Sequence, residues 1–235
     1  QFKSWTINDV LRHLHFWNKA VMVATEGEEA FGAFFEGVGV HMTKGGSLPE
    51  YEHQYLQGLS GHALREAWSA LVDETADAYR ALDPSVRVPW AGPSMSARSA
   101  ISARQMETWA HGQEVFDILG VAREERDRIR NIVVLGINTY GWTFKVRGET
   151  PPGPMPLVEL TSPSGALWTY GEPQDGSVIR GEAVEFAQVV TQTRNIADTH
   201  LTVVGECASR WMQNAQCFAG GANPPPPQGS RFKTE

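Results

Sequence analysis

The sequence predicts an α+β fold in which a four-helix bundle comes first and a small α+β domain follows. The first half contains long runs with apolar residues at every third or fourth position, which is typical of helices with one buried face. The second half contains short strand-like runs separated by the turn sequences PPGP, SPSG and EPQDG. We therefore predict a helical-bundle domain at 1–138, a small α+β domain at 139–222 and a Pro-rich tail at 223–235.

Four helices are predicted in the first half. Thr6 and Asp9 form the pattern of a capping box, which opens a helix that continues to about Ala24. The three helices that follow it are predicted at 59–82, 96–119 and 123–137. Glycine is typical of the position just after a helix end, and Gly120 ends the helix predicted at 96–119. For the Gly-rich stretch 32–60 we predict a short helix followed by a mobile loop.

The second half is predicted to alternate between strands and helices. Short runs rich in β-branched and aromatic residues predict the strands, and longer runs predict the helices. The strands are predicted at 142–146, 157–160, 166–170, 177–180 and 201–204, and the helices at 182–192 and 206–219.

Composition excludes several classes of partner. The net charge of -7 argues against nucleic acid, because phosphate binding requires clustered Lys and Arg. No apolar run approaches the roughly 18 residues of a membrane span, and no signal peptide opens the sequence. Cys207 and Cys217 do not form a CxxC pair, so we expect reduced thiols. We therefore expect a cytoplasmic protein with a small-molecule substrate, no membrane partner, and a monomeric or homodimeric state.

Glu107 and His111 are the strongest candidates for a metal site. They lie four residues apart on a predicted helix, so their side chains project from one face, one turn apart. A carboxylate and an imidazole at this spacing can share one metal ion, as in other bundle metal sites. The same spacing is also common for a simple Glu–His hydrogen bond on an exposed helix, and spacing alone favours that interpretation.

A third ligand is expected from the first helix, which carries His13 and His15. The two side chains point to different sides of the helix, so only one of them faces the bundle well. His13 lies beside the line of apolar residues from Val10 to Trp17, which favours it weakly. The choice between the two histidines stays open at this point.

Two motifs carry a resemblance to a known family. The sequence WTINDVLRHL at 5–14 and the sequence RQMETWAHG at 104–112 together resemble the DinB-like superfamily, and most closely its mycothiol-dependent maleylpyruvate isomerase branch. The stretches 88–117 and 136–144 are similar to an actinobacterial metal-binding subfamily of that branch. The resemblance covers nearly the whole chain, and the two helix motifs are more specific together than either is alone.

The resemblance implies a metal centre and a thiol cofactor. The metal ligands of the family fall on His13, Glu107 and His111, and the expected metal is zinc or another divalent ion. Three protein ligands leave an open coordination position, as in catalytic zinc sites. Such a site binds a thiol as the thiolate, which in this branch is mycothiol or a similar low-molecular-weight thiol. The implied activity is isomerisation or S-transfer on a small electrophilic substrate.

The resemblance is partial at three positions. The Gly-Arg sequence of the family's second domain corresponds here to Thr193-Arg194, and it implies that Arg194 holds a substrate carboxylate. A surface arginine at a helix end is an equally good interpretation of that residue. His15 replaces a small residue of the relatives, and Asn18 replaces an acidic residue that is common in near relatives. Both residues lie near the expected site, so we expect the substrate or the reaction to differ from that of the isomerase.

Two other functions are compatible with the same residues. One is a metal-dependent enzyme without a thiol, which catalyses a hydrolysis, cyclisation or rearrangement in a natural-product pathway. The other is a non-catalytic metal-binding protein, which a fourth protein ligand would favour.

Overall fold

The computed structural model describes residues 5–174 and 176–231. It confirms the α+β class, with helices first and a small sheet in the second half. The chain forms two compact units, residues 1–108 and 109–235, and the division falls inside a helix at Ala97–Leu119. Because no linker marks that division, the predicted domain boundary at 138 stays a prediction. The last four residues of the predicted tail, 232–235, lie outside the described residues.

The first unit is built around its first helix. The helices are α1 (Ile7–Ala24), α2 (Glu28–Thr43), α3 (Leu48–Tyr55), α4 (Gly61–Ala81) and the beginning of α5 (Ala97–Leu119). Two short antiparallel strands, β1 (Arg87–Val88) and β2 (Met95–Ser96), precede α5. Helix α1 packs against α2, α3 and α4, so its side chains reach the interior from several faces.

The start and the packing of α1 follow from its sequence. The Thr6 side chain accepts a hydrogen bond from the Asp9 amide, and Asp9 accepts one from the Thr6 amide, which confirms the predicted capping box. Farther along, Ala20 and Ala24 are small enough to let neighbouring helices approach closely. They share a core cluster with Phe31 of α2 and other residues of the unit.

The stretch 32–60 differs from its prediction. Instead of one short helix and a mobile loop, it forms most of α2 and all of α3. Three glycines lower the helix propensity of α2, but Phe31 and Val38 are buried and hold the helix against the core. A Cβ at Gly37 would meet the hydroxyl of Tyr51, so a larger residue at this position would require the Tyr51 side chain to shift.

The second unit places helices around a four-stranded sheet. Its strands are β3 (Leu157–Thr161), β4 (Leu167–Tyr170), β5 (Val178–Glu182) and β6 (Thr202–Val204), in the order β4-β3-β5-β6. Strand β3 is antiparallel to β4 and parallel to β5, and β6 is antiparallel to β5. The helices after α5 are α6 (Arg130–Asn138), α7 (Tyr140–Lys145), α8 (Ala183–Val190) and α9 (Glu206–Asn214).

Three predictions for segments of the second unit were wrong in detail. The predicted strand at 142–146 is part of α7, because Tyr140 and Phe144 lie one turn apart and the Tyr140 ring packs against Trp211. The predicted helix at 123–137 begins only at Arg130, after a short 3₁₀ turn. The last predicted helix ends at Asn214 rather than at 219, since Ala215 is extended.

Two further features bear on the expectations from composition. Among the described helices, none combines the length and the apolar character that crossing a bilayer would require. Cys207 and Cys217 are not joined in a disulfide. The expectation of reduced cysteines therefore agrees with the structure.

Candidate metal centre

Helices α1 and α5 bring three candidate ligands together. His13 comes from α1, and Glu107 and His111 come from α5. One potential ligand atom from each residue lies within 4.8 Å of the other two. Of the histidines proposed on α1, the structure places His13 in this group and leaves His15 out of it.

The α5 pair owes its geometry to the helix itself. Glu107 and His111 are four residues apart, which corresponds to about 6 Å along the axis and about 40° around it. The helix runs without a break from Ala97 to Leu119, and it ends where Gly120 has a positive φ of 63°. The two side chains are therefore held in register by one rigid element.

His13 is held by a second residue, Glu52 of α3. The His13 Nδ1 atom lies 2.7 Å from Oε1 of Glu52, and only 1% of Glu52 is exposed. A carboxylate accepts a proton from Nδ1 of an imidazole, and Nε2 would then be the nitrogen that binds a metal ion. Sequence analysis did not identify Glu52, because it lies 39 residues from His13 in a stretch predicted as a loop.

His111 has a carboxylate neighbour of the same kind. Its Nδ1 atom lies 3.3 Å from Oε2 of Glu114, one turn farther along α5. The other carboxylate oxygen of Glu114 accepts a hydrogen bond from Arg231 at 3.3 Å. The contact to His111 is longer than the one in the His13–Glu52 pair, and Glu114 divides its charge between two partners.

The residues of this group fit a divalent metal ion. Two imidazoles and one carboxylate are a donor set that zinc accepts, and its ligand atoms in tetrahedral geometry lie about 3.4 Å apart. The three atoms lie within 4.8 Å of one another, so at most a small inward movement of the side chains would bring them to this spacing. The described residues bring three donors to the group, which leaves one position for an exogenous ligand.

A buried arginine lies beside these carboxylates. Arg104 is only 5% exposed, and its Nε and Nη2 atoms donate to Asn18 Oδ1 at 3.1 Å and to the Leu14 carbonyl at 3.4 Å. Burial lowers the pKa of Arg104 to about 10, although the charges of Glu107 and Glu52 raise it in part. Arg104 therefore remains a cation at neutral pH and compensates part of the negative charge of the two glutamates.

Two tryptophan side chains lie beside His13. The ring of Trp5 is 5.2 Å from the His13 ring, and Trp17 is 6.1 Å from it. Trp17 also contacts Trp90, with ring centroids 5.3 Å apart. These aromatic rings make the surroundings of His13 apolar, so electrostatic interactions there are stronger than in water.

His15 has a different environment. It is 3% exposed, and its Nδ1 atom has no hydrogen-bond partner among the described residues. Burial, together with the positive charge of Lys19, lowers the pKa of His15 to about 4. His15 is therefore a neutral, buried side chain. Asn18, the second departure from the relatives, accepts the hydrogen bond from Arg104.

Arg194 forms an ion pair with Asp117. Its Nη1 and Nη2 atoms each lie 2.7 Å from one carboxylate oxygen of Asp117, and Arg194 is 6% exposed. The interpretation of Arg194 as a surface residue is therefore wrong. Its role in holding a substrate carboxylate stays a prediction, and the bidentate contact with Asp117 shows that its nitrogens are arranged for that kind of ligand.

Comparison with known proteins agrees with the motifs. Residues 1–116 match the family described as the mycothiol maleylpyruvate isomerase N-terminal domain. Two curated proteins, from two strains of Mycobacterium tuberculosis and both described only as uncharacterized, are each 34% identical over 216 residues, which cover 92% of this chain and 83% of theirs. No solved structure matches the chain. The match at 1–116 includes His13, Glu107 and His111, and together with the two relatives it shows that the chain belongs to the DinB-like family whose first domain is described as the mycothiol maleylpyruvate isomerase N-terminal domain.

Proposed function

We propose that the protein is a metal-dependent enzyme that uses a low-molecular-weight thiol for isomerisation or S-transfer on a small electrophilic substrate. The observation that carries the proposal is the convergence of His13, Glu107 and His111 in a chain of the mycothiol-dependent family. The expected metal is zinc, because a donor set of two imidazoles and one carboxylate suits it, and the expected thiol is mycothiol.

The bound ion would supply a Lewis acid that lowers the pKa of a coordinated thiol or water. The protein's own residues then determine the environment of that ligand. The rings of Trp5 and Trp17 beside His13 would reduce the access of water to that ligand. The Arg104 guanidinium offsets one of the two carboxylate charges of Glu52 and Glu107, and this leaves the occupied centre favourable for an anionic ligand such as a thiolate.

Arg194 is the proposed contact for a substrate carboxylate. In that role it would exchange its bidentate partner Asp117 for the substrate. A loss of substrate affinity in Arg194→Lys, with the metal content unchanged, would agree with this role, because lysine keeps the charge but loses the two-point geometry.

The second candidate is a metal-dependent enzyme without a thiol. Asn18 supports it, since the resemblance leads us to expect an acidic residue at this position, whereas here a neutral amide oxygen accepts the Arg104 hydrogen bond. In this case the bound ion would activate water or polarise a carbonyl in a natural-product pathway. Turnover that does not depend on any added thiol would select this candidate over the first.

The first experiment is metal analysis of the purified protein beside Glu107→Ala and His111→Ala. We expect about one equivalent of zinc or another divalent metal in the wild type and a loss in both variants, with Glu185→Ala as a control outside the centre. Maleylpyruvate turnover with and without mycothiol then distinguishes the two candidates. A wild-type protein that takes up no metal after reconstitution would contradict the proposed function.

We also expect the protein to act in the cytoplasm, as a monomer or homodimer on a small-molecule substrate. Reducing conditions there keep a thiol cofactor available. Size-exclusion chromatography with light scattering measures the oligomeric state.

A further inference from the structure

We propose that Glu52 is a positioning residue of the metal centre, which holds His13 by its Nδ1 atom and directs Nε2 toward Glu107 and His111. This inference rests on the metal centre of the proposed function. It adds a residue from a third helix, α3, which none of the motifs contains.

The first argument is geometric. The contact between His13 Nδ1 and Glu52 Oε1 is 2.7 Å, which is the length of a strong, charge-assisted hydrogen bond. An imidazole that donates from Nδ1 carries its lone pair on Nε2, so the acceptor fixes the tautomer that a metal requires.

The second argument is burial. Only 1% of Glu52 is exposed, and carboxylates are almost never buried to this extent without compensation. His13 is its hydrogen-bond partner among the described residues, and the positive charge of Arg104 lies nearby. A helix that merely covered α1 would be more stable with an apolar residue at this position, so the burial of a carboxylate points to a function.

The third argument is that α3 holds Glu52 firmly. The helix begins with a capping box between Ser47 and Glu50, which fixes its first turn. The Tyr51 ring packs edge-on against Phe16 of α1, with centroids 5.9 Å apart. The cap and this contact with α1 therefore fix the position of α3, from which Glu52 reaches His13.

The chain offers a matched control outside the centre. Glu185 contacts His200 Nδ1 at 2.9 Å, which is nearly the same contact as in the His13–Glu52 pair. The His200 side chain is 96% exposed and the Glu185 side chain 18% exposed, so this histidine, unlike His13, stands in water. Glu185→Gln therefore removes a carboxylate from a histidine without touching the metal centre.

The experiment measures metal affinity by chelator competition in the wild type, Glu52→Gln, Glu52→Leu and Glu185→Gln. Zinc and cobalt(II) are the probes, and the visible spectrum of the cobalt(II) protein reports the ligand geometry. We expect a loss of affinity of about 10- to 100-fold in Glu52→Leu, as is usual for partners of metal-binding histidines. Glu52→Gln should lie between Glu52→Leu and the wild type, because an amide oxygen still accepts the Nδ1 proton but carries no charge. Glu185→Gln should be unchanged.

Thermal unfolding of the metal-free proteins separates positioning from folding. If Glu52→Leu fails to fold, the metal affinity of Glu52→Gln tests the inference, since glutamine keeps the side-chain volume and an oxygen that accepts the hydrogen bond from His13. Folded variants with an affinity within twofold of the wild type and an unchanged cobalt spectrum would overturn the inference and leave the metal centre intact. A wild-type protein that binds neither metal would overturn the inference together with the proposed function.

Discussion

His13 and His15 lie two residues apart on the same helix and have opposite environments. His13 is partly buried, has a carboxylate at 2.7 Å from Nδ1, and belongs to the group with Glu107 and His111. His15 is almost completely buried, and its Nδ1 atom has no partner among the described residues. Burial is therefore greater for the histidine outside the candidate centre.

The difference shows that burial alone does not mark the histidine that belongs to the candidate centre. A histidine that binds a metal through one nitrogen is usually oriented by a partner at the other nitrogen, and among the described residues Nδ1 of His13 has such a partner whereas Nδ1 of His15 has none. His15 instead keeps the properties of a neutral core residue, since the loss of solvation makes its protonated form unfavourable.

The largest expected effect is that of His13→Leu. This change removes a nitrogen from the group and leaves Glu52 buried opposite an apolar side chain. We expect metal affinity to fall by more than about 100-fold, beyond the range usual for partner residues. Isothermal titration of the metal-free protein with zinc measures it, and affinity close to that of the wild type would show that the comparison of the two histidines is wrong.

Glu114→Gln should have a smaller effect. His111 satisfies the same criterion as His13, but its carboxylate lies at 3.3 Å and also contacts Arg231. We expect metal affinity to fall by about tenfold or less, since the weaker contact orients the ring less strictly. The same titration serves as the measurement. A loss of metal affinity equal to that of Glu52→Leu would mean that the length of the histidine–carboxylate contact does not determine how strongly each carboxylate affects metal binding.

Arg231→Ala should change metal affinity still less. Arg231 contacts the carboxylate oxygen of Glu114 that does not face His111, so through this contact it acts on the ligand by way of an intermediate residue. The contact is long, at 3.3 Å, and we expect only part of its effect on Glu114 to reach the metal. We expect a change of about twofold, measured by chelator competition. A change above about tenfold would give the C-terminal segment a direct role.

His15→Leu should leave metal binding unchanged. Leucine has a similar volume and no buried nitrogen to satisfy, so the free energy of unfolding should stay the same or rise by about 1 kcal/mol. Urea unfolding of the metal-free protein measures the stability, and metal analysis measures the occupancy. Loss of the metal in this variant would place His15 in the centre after all.

Local sequence patterns were sufficient for much of the first unit. The capping box of α1 and the apolar periodicity of α4 and α5 predicted these helices almost to their ends. Helix α2 could not be predicted, because its glycines lower the local propensity and only the burial of Phe31 and Val38 compensates for it. Helix α7 was mistaken for a strand for a related reason, since its β-prone residues are held in a helix by the packing of Tyr140 against Trp211.

The residues of the candidate site also differ in whether the sequence alone could identify them. The spacing of Glu107 and His111 is a property of one helix, and it was visible in the sequence. Glu52 lies on another helix, so its contact with His13 depends on how α3 packs against α1. Glu114 follows His111 by one helical turn and could have been found by the same spacing rule that found Glu107.

The length of α5 has a practical consequence for work on the metal-binding half alone. The match to the family ends at residue 116, whereas α5 continues to Leu119 and is closed by the amides of Gly120 and Val121, which bond to carbonyls of the last turn. An expressed fragment that stops at 116 would therefore end inside the final turn and let it fray toward Glu114. Weak metal binding by such a fragment would reflect its truncated end rather than the quality of its ligands.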